Sequence, residues 1–470
     1  MKQYMKQYME LTNRYRESII HHSQQLVRIK SVESEPLPGM PFGEGVNQAL
    51  VYMLQLAREL GFETANVDGY AGHADLGTGE EIVAVLVHLD VVPEGTGWEH
   101  PPYGGEIHDD KIYGRGIIDD KGPAVASLYA MKILADTGLP LQKKIRLIFG
   151  TDEESGWKDL EVYFKHYPRP KTGFSPDAEF PLIHGEKGIQ IFDLKGRWNQ
   201  DNADVVIEEI KGGNAPNMVP DSCCVKLAAA ENLKSAMSES FLSFNRRTGF
   251  ELSMEDLQEK VIITAPGVSA HGSTPEKGKN AISHMLLFLA ECPGLSEGVS
   301  RLIGFYNQHI GLEVNGKAMG CGYEDDVSGK LVFNVGQVKG DQHEITWTVN
   351  TRYPITIEGE QVLKGMAPVL KRNNIELIMH EDVEPLYVPK EDELVQKLMQ
   401  VYREATGDLT SEPFTIGGGT YARALDKGVA FGPLFPGQEE LAHQKNEFMK
   451  VEDLLRMTSL YAAALASLAG

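Results

Sequence analysis

Carboxylate and imidazole side chains follow an apolar run in the first part of the sequence. His88 and Asp90 come directly after residues 82–87, a run rich in β-branched residues. A run that is apolar on both faces is typical of a buried strand in a parallel sheet. Because open α/β sheets bind ligands beyond the carboxyl ends of such strands, these two side chains are candidates for a site of metal chemistry.

Further metal-competent side chains recur after other predicted elements. They are Asp119, Asp120, Glu153, Glu154, Asp177 and His443. Taken singly, a histidine at a strand end is usually a hydrogen-bonded structural residue, and an acidic pair in a loop is usually a helix cap or a solvated turn. Taken together, they fall at the carboxyl ends of several candidate strands, and a mixed carboxylate and imidazole set suits Zn²⁺, Mn²⁺ or Co²⁺.

Composition narrows the possible partners of the chain. It has 470 residues, of which 42% are hydrophobic and 24% charged, so it can bury a large core and is long enough for two or more domains. A net charge of −22 argues against nucleic acid or an anionic membrane as partner, because both select basic surfaces. The four cysteines show no disulfide framework, and no apolar run reaches the length of a membrane span, which together favour a cytoplasmic protein.

The order of predicted elements indicates an interrupted α/β fold. Strands at 82–87, 144–149 and 172–175 alternate with helices such as 123–136, and the same character returns near the C-terminus. We therefore expect a doubly wound catalytic domain with a mainly parallel sheet, built from residues 1–186 and 384–470. Residues 187–383 are expected to form a large inserted α+β lid domain. Its predicted strands and helices are 190–194, 225–228, 261–265, 331–338 and 344–350, and about 231–246, 279–290 and 361–373.

Five ordered motifs resemble those of a known enzyme family. They are H-L-D-V-V-P, G-R-G-I-I-D-D-K-G, T-D-E-E-S-G, S-P-D-A-E-F and A-H-Q-K-N-E, and they span nearly the whole chain. In this order and spacing they resemble the aminoacylase/carboxypeptidase-G-type family of co-catalytic dizinc metallopeptidases. Within it, the chain is most similar to the PepV-type, carnosinase-like branch of bacterial dipeptidases.

The resemblance implies a centre for two divalent metal ions. His88 and Asp177 would hold one ion, Glu154 and His443 the other, and Asp119 would bridge both. Zn²⁺ is the first expectation, with Mn²⁺ or Co²⁺ as alternatives, because these ligands serve all three.

The resemblance also assigns roles beside the metals. Glu153 would be the general base that takes a proton from the attacking water and returns it to the leaving amine. Asp90 would orient the imidazole of His88 through its other ring nitrogen. In this family the peptide bond after the bridging aspartate is commonly cis.

Residues of the insert and of one glycine-rich loop match the family's substrate-contacting positions. His271 would stabilise the transition-state oxyanion, Asn217 would meet the substrate, and Arg352 would pair with its free carboxylate. Gly418 and Gly419 would present main-chain groups to a peptide. As a phosphate cradle the same loop is a weak candidate, because it lacks the spacing of a P-loop.

The function implied is a dipeptidase acting on short peptides with a free N-terminus. Another amide hydrolase of the same family is the alternative: an aminoacylase, a tripeptide aminopeptidase or a succinyl-diaminopimelate desuccinylase. A non-catalytic peptide-binding protein would be expected to have lost the base or a ligand, and Glu153 and the five ligand positions are intact. Smaller family members dimerise through a shorter insert, so the long insert predicts a monomer whose lid imitates a dimer.

Overall fold

Helices and strands alternate along the chain in a computed structural model that describes residues 2–201, 203–229, 231–257 and 260–470. The helices are α1 (Lys2–Val27), α2 (Glu44–Glu59), α3 (Lys121–Thr137), α4 (Lys158–His166), α5 (Glu231–Thr248), α6 (Ala281–Leu289), α7 (Glu297–His309), α8 (Gly359–Asn373), α9 (Glu393–Thr406) and α10 (Val451–Ala469). The strands are β1 (Glu63–Val67), β2 (Ala71–Leu76), β3 (Ile82–His88), β4 (Glu106–His108), β5 (Lys111–Tyr113), β6 (Lys144–Gly150), β7 (Thr172–Ser175), β8 (Ala178–Glu179), β9 (Ile183–Glu186), β10 (Gly188–Arg197), β11 (Val205–Gly212), β12 (Ser222–Ala229), β13 (Ser253–Leu257), β14 (Lys260–Pro266), β15 (Glu324–Asp325), β16 (Gly329–Lys330), β17 (Val332–Gly340), β18 (Glu344–Tyr353), β19 (Glu376–Val383), β20 (Leu386–Tyr387), β21 (Phe414–Ile416), β22 (Lys427–Ala430), β23 (Pro433–Leu434) and β24 (Phe448–Lys450). Short 3₁₀ helices lie at Pro275–Lys277 and Tyr421–Ala424.

The described chain divides into two compact units. The first comprises Met1–Gly185, Leu386–Phe414 and Gly419–Gly470, and the second comprises Glu186–Pro385 and Thr415–Gly418. Each has its own hydrophobic core. The boundaries expected from the sequence, at residues 187 and 383, stay a prediction about domains that fold independently.

The first unit is organised around a nine-stranded sheet of order β1-β2-β6-β3-β7-β22-β9-β20, with β21 paired to β9. Its four central strands, β6, β3, β7 and β22, are parallel, and the pairs β1·β2, β2·β6 and β22·β9 are antiparallel. Parallel neighbours require crossover connections, which helices such as α3 and α4 supply.

Strand β3 shows why this sheet is covered on both faces. Val83, Val85 and Val87 belong to the main core with α1, α3 and α10, whereas Ala84 and Leu86 belong to a separate cluster with residues of α4. Successive side chains of a strand point to opposite faces, so an unbroken apolar run requires a core on each side. The doubly wound arrangement follows from this pattern.

The second unit contains an eight-stranded, antiparallel sheet of order β13-β14-β12-β11-β17-β18-β10-β19. Burial alternates along β10, so one face packs on the core and the other is more open to solvent. Helices α6 and α7 contribute to that core, which includes the fully buried Trp347. The predicted fold class, a mainly parallel α/β domain interrupted by an α+β insert, is confirmed.

A small sheet, β4-β5-β24, completes the first unit. In it the hairpin β4–β5 pairs antiparallel with β24, the strand that leads into α10. None of the helices within the described ranges has the length and apolarity needed to cross a bilayer.

Candidate metal centre

Three parallel strands bring their carboxyl ends to one edge of the first unit's sheet. His88 is the last residue of β3 and lies opposite Gly150, the last residue of β6. Glu153 and Glu154 lie in the turn that follows β6, and Asp177 follows β7 on the other side of β3. The strand pattern of the sequence placed these donors at strand ends, and the register of β3 with β6 brings those ends together.

The first group of ligand atoms is formed by His88, Asp119 and Asp177, and all three atoms lie within 4.8 Å of one another. The Nε2 atom of His88 lies 2.8 Å from Oδ1 of Asp119 and 3.8 Å from Oδ1 of Asp177. Only 1% of the His88 side chain is exposed. This group is therefore a buried set of one nitrogen and two oxygen donors.

The second group is formed by Asp119, Glu154 and His443, again within 4.8 Å of one another. The Nε2 atom of His443 lies 3.0 Å from Oδ2 of Asp119 and 3.0 Å from Oε1 of Glu154. Asp119 thus turns one carboxylate oxygen to each imidazole, the arrangement that a bridging ligand requires. Asp120 instead accepts a hydrogen bond from the main-chain N–H of His88, at 3.2 Å, and the Asp119–Asp120 peptide bond is cis.

The loop that carries Asp119 is held by a buried glutamate. Glu447 accepts hydrogen bonds from Nη1 of Arg115 at 2.7 Å, from N of Gly116 at 3.0 Å and from N of Ile118 at 2.8 Å. Its side chain is fully buried, so each of these bonds forms away from competing water. Glu447 lies after His443 in the same loop. Its hydrogen bonds therefore connect that loop to the backbone just before Asp119.

A second supporting network lies behind His88. The hydroxyl of Tyr421 donates to Oδ2 of Asp159 at 2.5 Å, and N of Thr151 donates to the same oxygen at 2.7 Å. The Tyr421 ring stands edge-on to the His88 ring, with centroids 6.2 Å apart. Burial raises the pKa of Asp159 to about 7, and the hydrogen bonds it accepts oppose that rise.

The sequence analysis did not identify Glu447 or Asp159 as supporting residues. Glu447 is the last letter of A-H-Q-K-N-E, so its motif was recognised, but a lone glutamate in a loop has no pattern that marks it as buried. Asp159 lies in the first turn of α4, where an acidic residue is ordinary.

Asp90 lies beside the ring nitrogen of His88 that is turned away from the first group of ligand atoms. Nδ1 of His88 lies 3.0 Å from the main-chain carbonyl oxygen of Asp90 and 3.5 Å from its carboxylate Oδ1. The other carboxylate oxygen accepts the main-chain N–H of Glu154 at 3.0 Å. Because a carbonyl oxygen only accepts, Nδ1 of His88 carries a hydrogen, which leaves Nε2 as the nitrogen that would ligate a bound metal.

Crowded carboxylates dominate the electrostatics. Burial and the nearby Asp119 carboxylate together raise the pKa of Asp177 to about 7, against the hydrogen bond from His88. Burial also raises the pKa of Glu154, and it raises that of Glu153 well above its usual value, where Asp177 adds to the effect. The charged groups that act on Glu153 thus include ligand carboxylates of both groups.

The two imidazoles compensate for this negative charge. Burial lowers the pKa of His443, but hydrogen bonds to Asp119 and Glu154 outweigh it and raise that pKa to about 11. Hydrogen bonds to carboxylates likewise raise the pKa of His88 well above its usual value against the effect of burial. For Asp119, burial raises the pKa, and the bonds from both imidazoles bring it well below the ordinary range.

These groups fit two divalent cations. Each offers one imidazole nitrogen and two carboxylate oxygens, a donor set that Zn²⁺, Mn²⁺ and Co²⁺ accept. Protonated imidazoles supply positive charge to the crowded carboxylates, and bound cations would take over that role while the imidazoles act as neutral ligands.

The second unit brings together two of its predicted substrate residues. Asn217 and His271 lie on facing segments, and the carbonyl oxygen of Asn217 accepts the N–H of Gly272 at 2.6 Å. Nδ1 of His271 lies 2.6 Å from Oγ of Ser273. Arg352 lies near the end of β18, in register with residues of β10 and β17, and is buried.

The two predicted glycines follow β21. Gly418 ends the segment that belongs to the second unit, and Gly419 begins a segment of the first. A Cβ atom at Gly419 would lie 2.9 Å from Nε of Arg423, so the close approach of that side chain favours glycine. The next residue, Thr420, caps the 3₁₀ helix by accepting from N of Ala422 at 3.2 Å.

Curated relatives match the chain over nearly its full length. The protein named "Putative dipeptidase YtjP" of Bacillus subtilis is 40% identical over 463 residues, which cover 97% of this chain and 98% of that protein. The protein named "Putative dipeptidase SAB1611c" of Staphylococcus aureus is 39% identical over 467 residues, covering 98% of each.

Solved structures share the fold. Human carnosine dipeptidase 1 superposes with a TM-score of 0.56 at 15% identity, covering 99% of this chain and 98% of that chain. The dipeptidase Dug1p of Saccharomyces cerevisiae gives a TM-score of 0.57 at 13% identity, covering 99% of each. The model of Peptidase family M20/M25/M40 matches residues 84–467. The family prediction is confirmed, and the chain belongs to peptidase family M20/M25/M40.

Proposed function

We propose that this chain is a metal-dependent dipeptidase that hydrolyses the peptide bond of short peptides with a free N-terminus. The observation that carries this conclusion is the pair of ligand groups that share Asp119, one oxygen facing each imidazole. This pair of ligand groups occurs in a chain that belongs to a peptidase family. Two relatives that match nearly its full length are named "Putative dipeptidase".

The roles of the individual side chains are part of the proposal. His88, Asp119 and Asp177 would hold one cation, and Asp119, Glu154 and His443 the other. Bound there, two divalent cations would polarise the scissile carbonyl and lower the pKa of the attacking water.

Glu153 is the proposed general base. Its carboxyl interacts with the ligand carboxylates of both groups, yet it belongs to neither set of ligand atoms. From that position it accepts the proton of the attacking water and delivers it to the leaving amine, so that the amine departs neutral. Asp90 supports the reaction indirectly, because its carbonyl fixes the ring orientation of His88 and its carboxylate holds the backbone of Glu154.

Finer features of the proposal rest on the sequence and the family resemblance. They include Zn²⁺ as the metal and a cytoplasmic monomer. They also include a catalytic domain built from residues 1–186 and 384–470, with an insert at residues 187–383. The proposed substrate contacts come from Asn217, His271, Arg352, Gly418 and Gly419. Of these, the pairing of Asn217 with His271 on facing segments supports a common role for those two side chains.

The other amide hydrolases of the family are less well supported. Aminoacylase, tripeptide aminopeptidase and desuccinylase activities would use the same metal ligands, so the metal centre does not separate them from a dipeptidase. The two relatives described above, which match 97–98% of the chain at 39–40% identity, are both named "Putative dipeptidase", and this favours the first assignment.

A substrate panel tests the proposal. Chelator-treated protein is supplied with Zn²⁺, Mn²⁺ or Co²⁺ and assayed on Ala-Ala, Leu-Gly, β-Ala-His, N-acetyl-Ala and Ala-Ala-Ala. We expect metal-restored cleavage confined to the free dipeptides. Cleavage of N-acetyl-Ala or of the tripeptide in preference to dipeptides would contradict the assignment.

The base is tested by Glu153→Gln, which keeps the size of the side chain and removes its ability to take a proton. The loss of kcat should be on the order of 10²–10⁴-fold, with both metal equivalents retained. The matched control is Glu161→Gln on α4, where the exposed carboxylate pairs with Lys165. A variant at position 153 that keeps wild-type kcat would remove Glu153 from the mechanism.

A further inference from the structure

A second cluster of metal-competent side chains lies apart from the centre described above. His100, Glu106 and His108 each offer a ligand atom, and the three atoms lie within 4.8 Å of one another. None of the three belongs to either group that shares Asp119. We propose that they form a separate binding site for one divalent transition-metal ion of the Zn²⁺ class.

Two of the three ligands are fixed by a strand. Glu106 and His108 are two residues apart on β4, so their side chains point to the same face. They lie opposite Tyr113 and Lys111 of β5. Strand β5 is in turn paired with β24, where Tyr113 lies opposite Phe448. A site built on a paired strand holds its ligands more rigidly than one built on a free loop.

The third ligand is held by ring packing. His100 lies in the loop before β4, and its imidazole is stacked on that of His108, with centroids 4.4 Å apart and planes 21° apart. Its ring also contacts Tyr113, at a centroid distance of 4.1 Å, and Tyr113 in turn packs on Phe448 at 5.4 Å. The aromatic column thus keeps His100 beside the strand residues.

The donor atoms suit a small transition-metal ion. Bonds of about 2.0–2.2 Å to nitrogen and oxygen require ligand atoms that nearly touch one another. Nε2 of His108 already lies 2.9 Å from Oε2 of Glu106, and the widest separation in the cluster is within 4.8 Å. Two imidazoles and one carboxylate select Zn²⁺, Co²⁺, Ni²⁺ or Cu²⁺ over Mg²⁺ or Ca²⁺.

Exposure leaves room for entry and for further ligands. About half of the side chain is accessible in two of the three residues, 48% for His108 and 45% for Glu106. Three protein ligands with open positions are the usual number at a site that also binds water or an added ligand. The net charge of −22 on the chain favours the approach of cations.

Ordinary contacts hold the cluster together. A hydrogen bond between His108 and Glu106 accounts for two groups, and stacking on Tyr113 accounts for one ring. Stacking of His100 on His108 brings the third donor atom within 4.8 Å of both others, so the three donors are already assembled for one ion. A shared cation would bind all three, and it would fasten the loop of His100 to the sheet β4-β5-β24.

Counting bound metal tests the site on the full-length protein. Chelator-treated wild type and the double variant His100→Ala/His108→Ala are titrated with Zn²⁺ by calorimetry, and bound zinc is counted after gel filtration. We expect the variant to bind one equivalent fewer than wild type. The activity at saturating Zn²⁺ and the far-ultraviolet circular dichroism should stay unchanged, because these side chains are outside the proposed catalytic centre.

Two further variants separate a built site from adventitious binding. His166→Ala/His343→Ala removes two exposed imidazoles that belong to no ligand group within the described ranges, and it should bind as much zinc as wild type. Glu106→Gln keeps both imidazoles and should weaken the extra equivalent by about 10-fold or more. Equal stoichiometry in wild type and His100→Ala/His108→Ala, or equal loss in both double variants, would overturn the proposal.

Discussion

The two halves of the candidate metal centre differ in how the chain holds them. The half built on His88 lies at the end of a central parallel strand, and only 1% of the His88 side chain is exposed. The half built on His443 lies in a loop, where that residue has a left-handed backbone with φ of 63°, and 52% of its side chain is exposed. Asp119 belongs to both halves.

This difference indicates a division of tasks. A donor fixed at a strand end and shielded from water holds a cation with little reorganisation, which suits a permanent ion. A donor on an exposed loop leaves the second ion within reach of solvent and of an incoming ligand. Glu447 limits the freedom of that loop, because it bonds the backbone next to Asp119.

Removing the shared ligand should have the largest effect. In Asp119→Asn both halves lose an anionic oxygen, so we expect both metal equivalents to weaken and kcat/KM to fall on the order of 10³-fold or more. The measurement is metal content by mass spectrometry together with dipeptide hydrolysis. Asp68→Asn, at an exposed turn, is the control and should match wild type. Retention of both ions by Asp119→Asn would show that the two groups do not share a ligand.

Removing one imidazole from each half tests the division directly. His443→Ala should keep one equivalent of metal that resists chelation, whereas His88→Ala should keep one that exchanges readily, because the remaining half is the exposed one. Release is followed by the absorbance of a coloured chelator after rapid mixing, in the His100→Ala/His108→Ala background that lacks the separate proposed site. With both imidazoles of the centre present, release should be biphasic. Equal release rates from the two variants would contradict the comparison.

The link between the halves can be weakened without touching a ligand. Glu447→Gln keeps an oxygen for one main-chain N–H and loses the ion pair with Arg115, so metal affinity should fall about 10–100-fold, the usual size for a supporting residue. The unfolding free energy of the chelated protein should fall by about 1–3 kcal/mol.

Glu452→Gln, in the exposed first turn of α10, controls for the loss of one carboxylate from the same region. For Glu447→Gln, the informative measurement is the amplitude of the rapid phase of metal release to the chelator. If the variant loses stability while its metal affinity stays at the wild-type value, the glutamate is a folding element only, and it does not position the ligands.

Local patterns explain what the sequence analysis could predict. The β-branched run of β3 and the strand-end donors His88 and Asp177 are readable because strand ends and apolar runs are features of a few adjacent residues. The doubly wound fold followed from the same alternation, and the structure confirms it. Asp119 required the family resemblance, since nothing in its neighbourhood distinguishes it from Asp120.

Elements fixed by distant contacts were missed. Strand β19 is an edge strand with mostly exposed residues, so its apolar alternation is weak, and no strand was predicted there. Helix α7 contains two glycines, which lower helix propensity, and it is stabilised by buried side chains such as Leu302 and Tyr306. The role of Glu447 was missed for the same reason, because it depends on a contact with Arg115, far away in the sequence.

A third buried histidine gives the smallest expected effect and contrasts with both imidazoles of the metal centre. Nδ1 of His73 lies 2.8 Å from the hydroxyl oxygen of Tyr163, within hydrogen-bond distance. Burial, helped by the nearby Arg146 guanidinium and opposed by the Asp75 carboxylate, lowers the pKa of His73 to about 4. The same residue type is thus held neutral here, where no carboxylate forms a direct hydrogen bond with it among the described residues.

The sign of the resulting pH dependence follows from linkage. The pKa of His73 in the folded chain lies below the value of about 6.5 expected for an unfolded one, so the unfolded state binds the proton first as the pH falls. Stability from this group is therefore complete above pH 6.5 and decreases by up to about 3 kcal/mol as the pH falls to 4. His73→Gln should remove that dependence, so the gap in thermal unfolding midpoint between wild type and variant should narrow between pH 6.5 and 4. His166→Gln, on the exposed end of α4, should leave the wild-type slope unchanged. A gap that stays constant across this range would show that the pKa of His73 is the same in the folded and the unfolded chain. The proposed contrast between this histidine and the metal-centre imidazoles, which hydrogen-bond to carboxylates, would then be wrong.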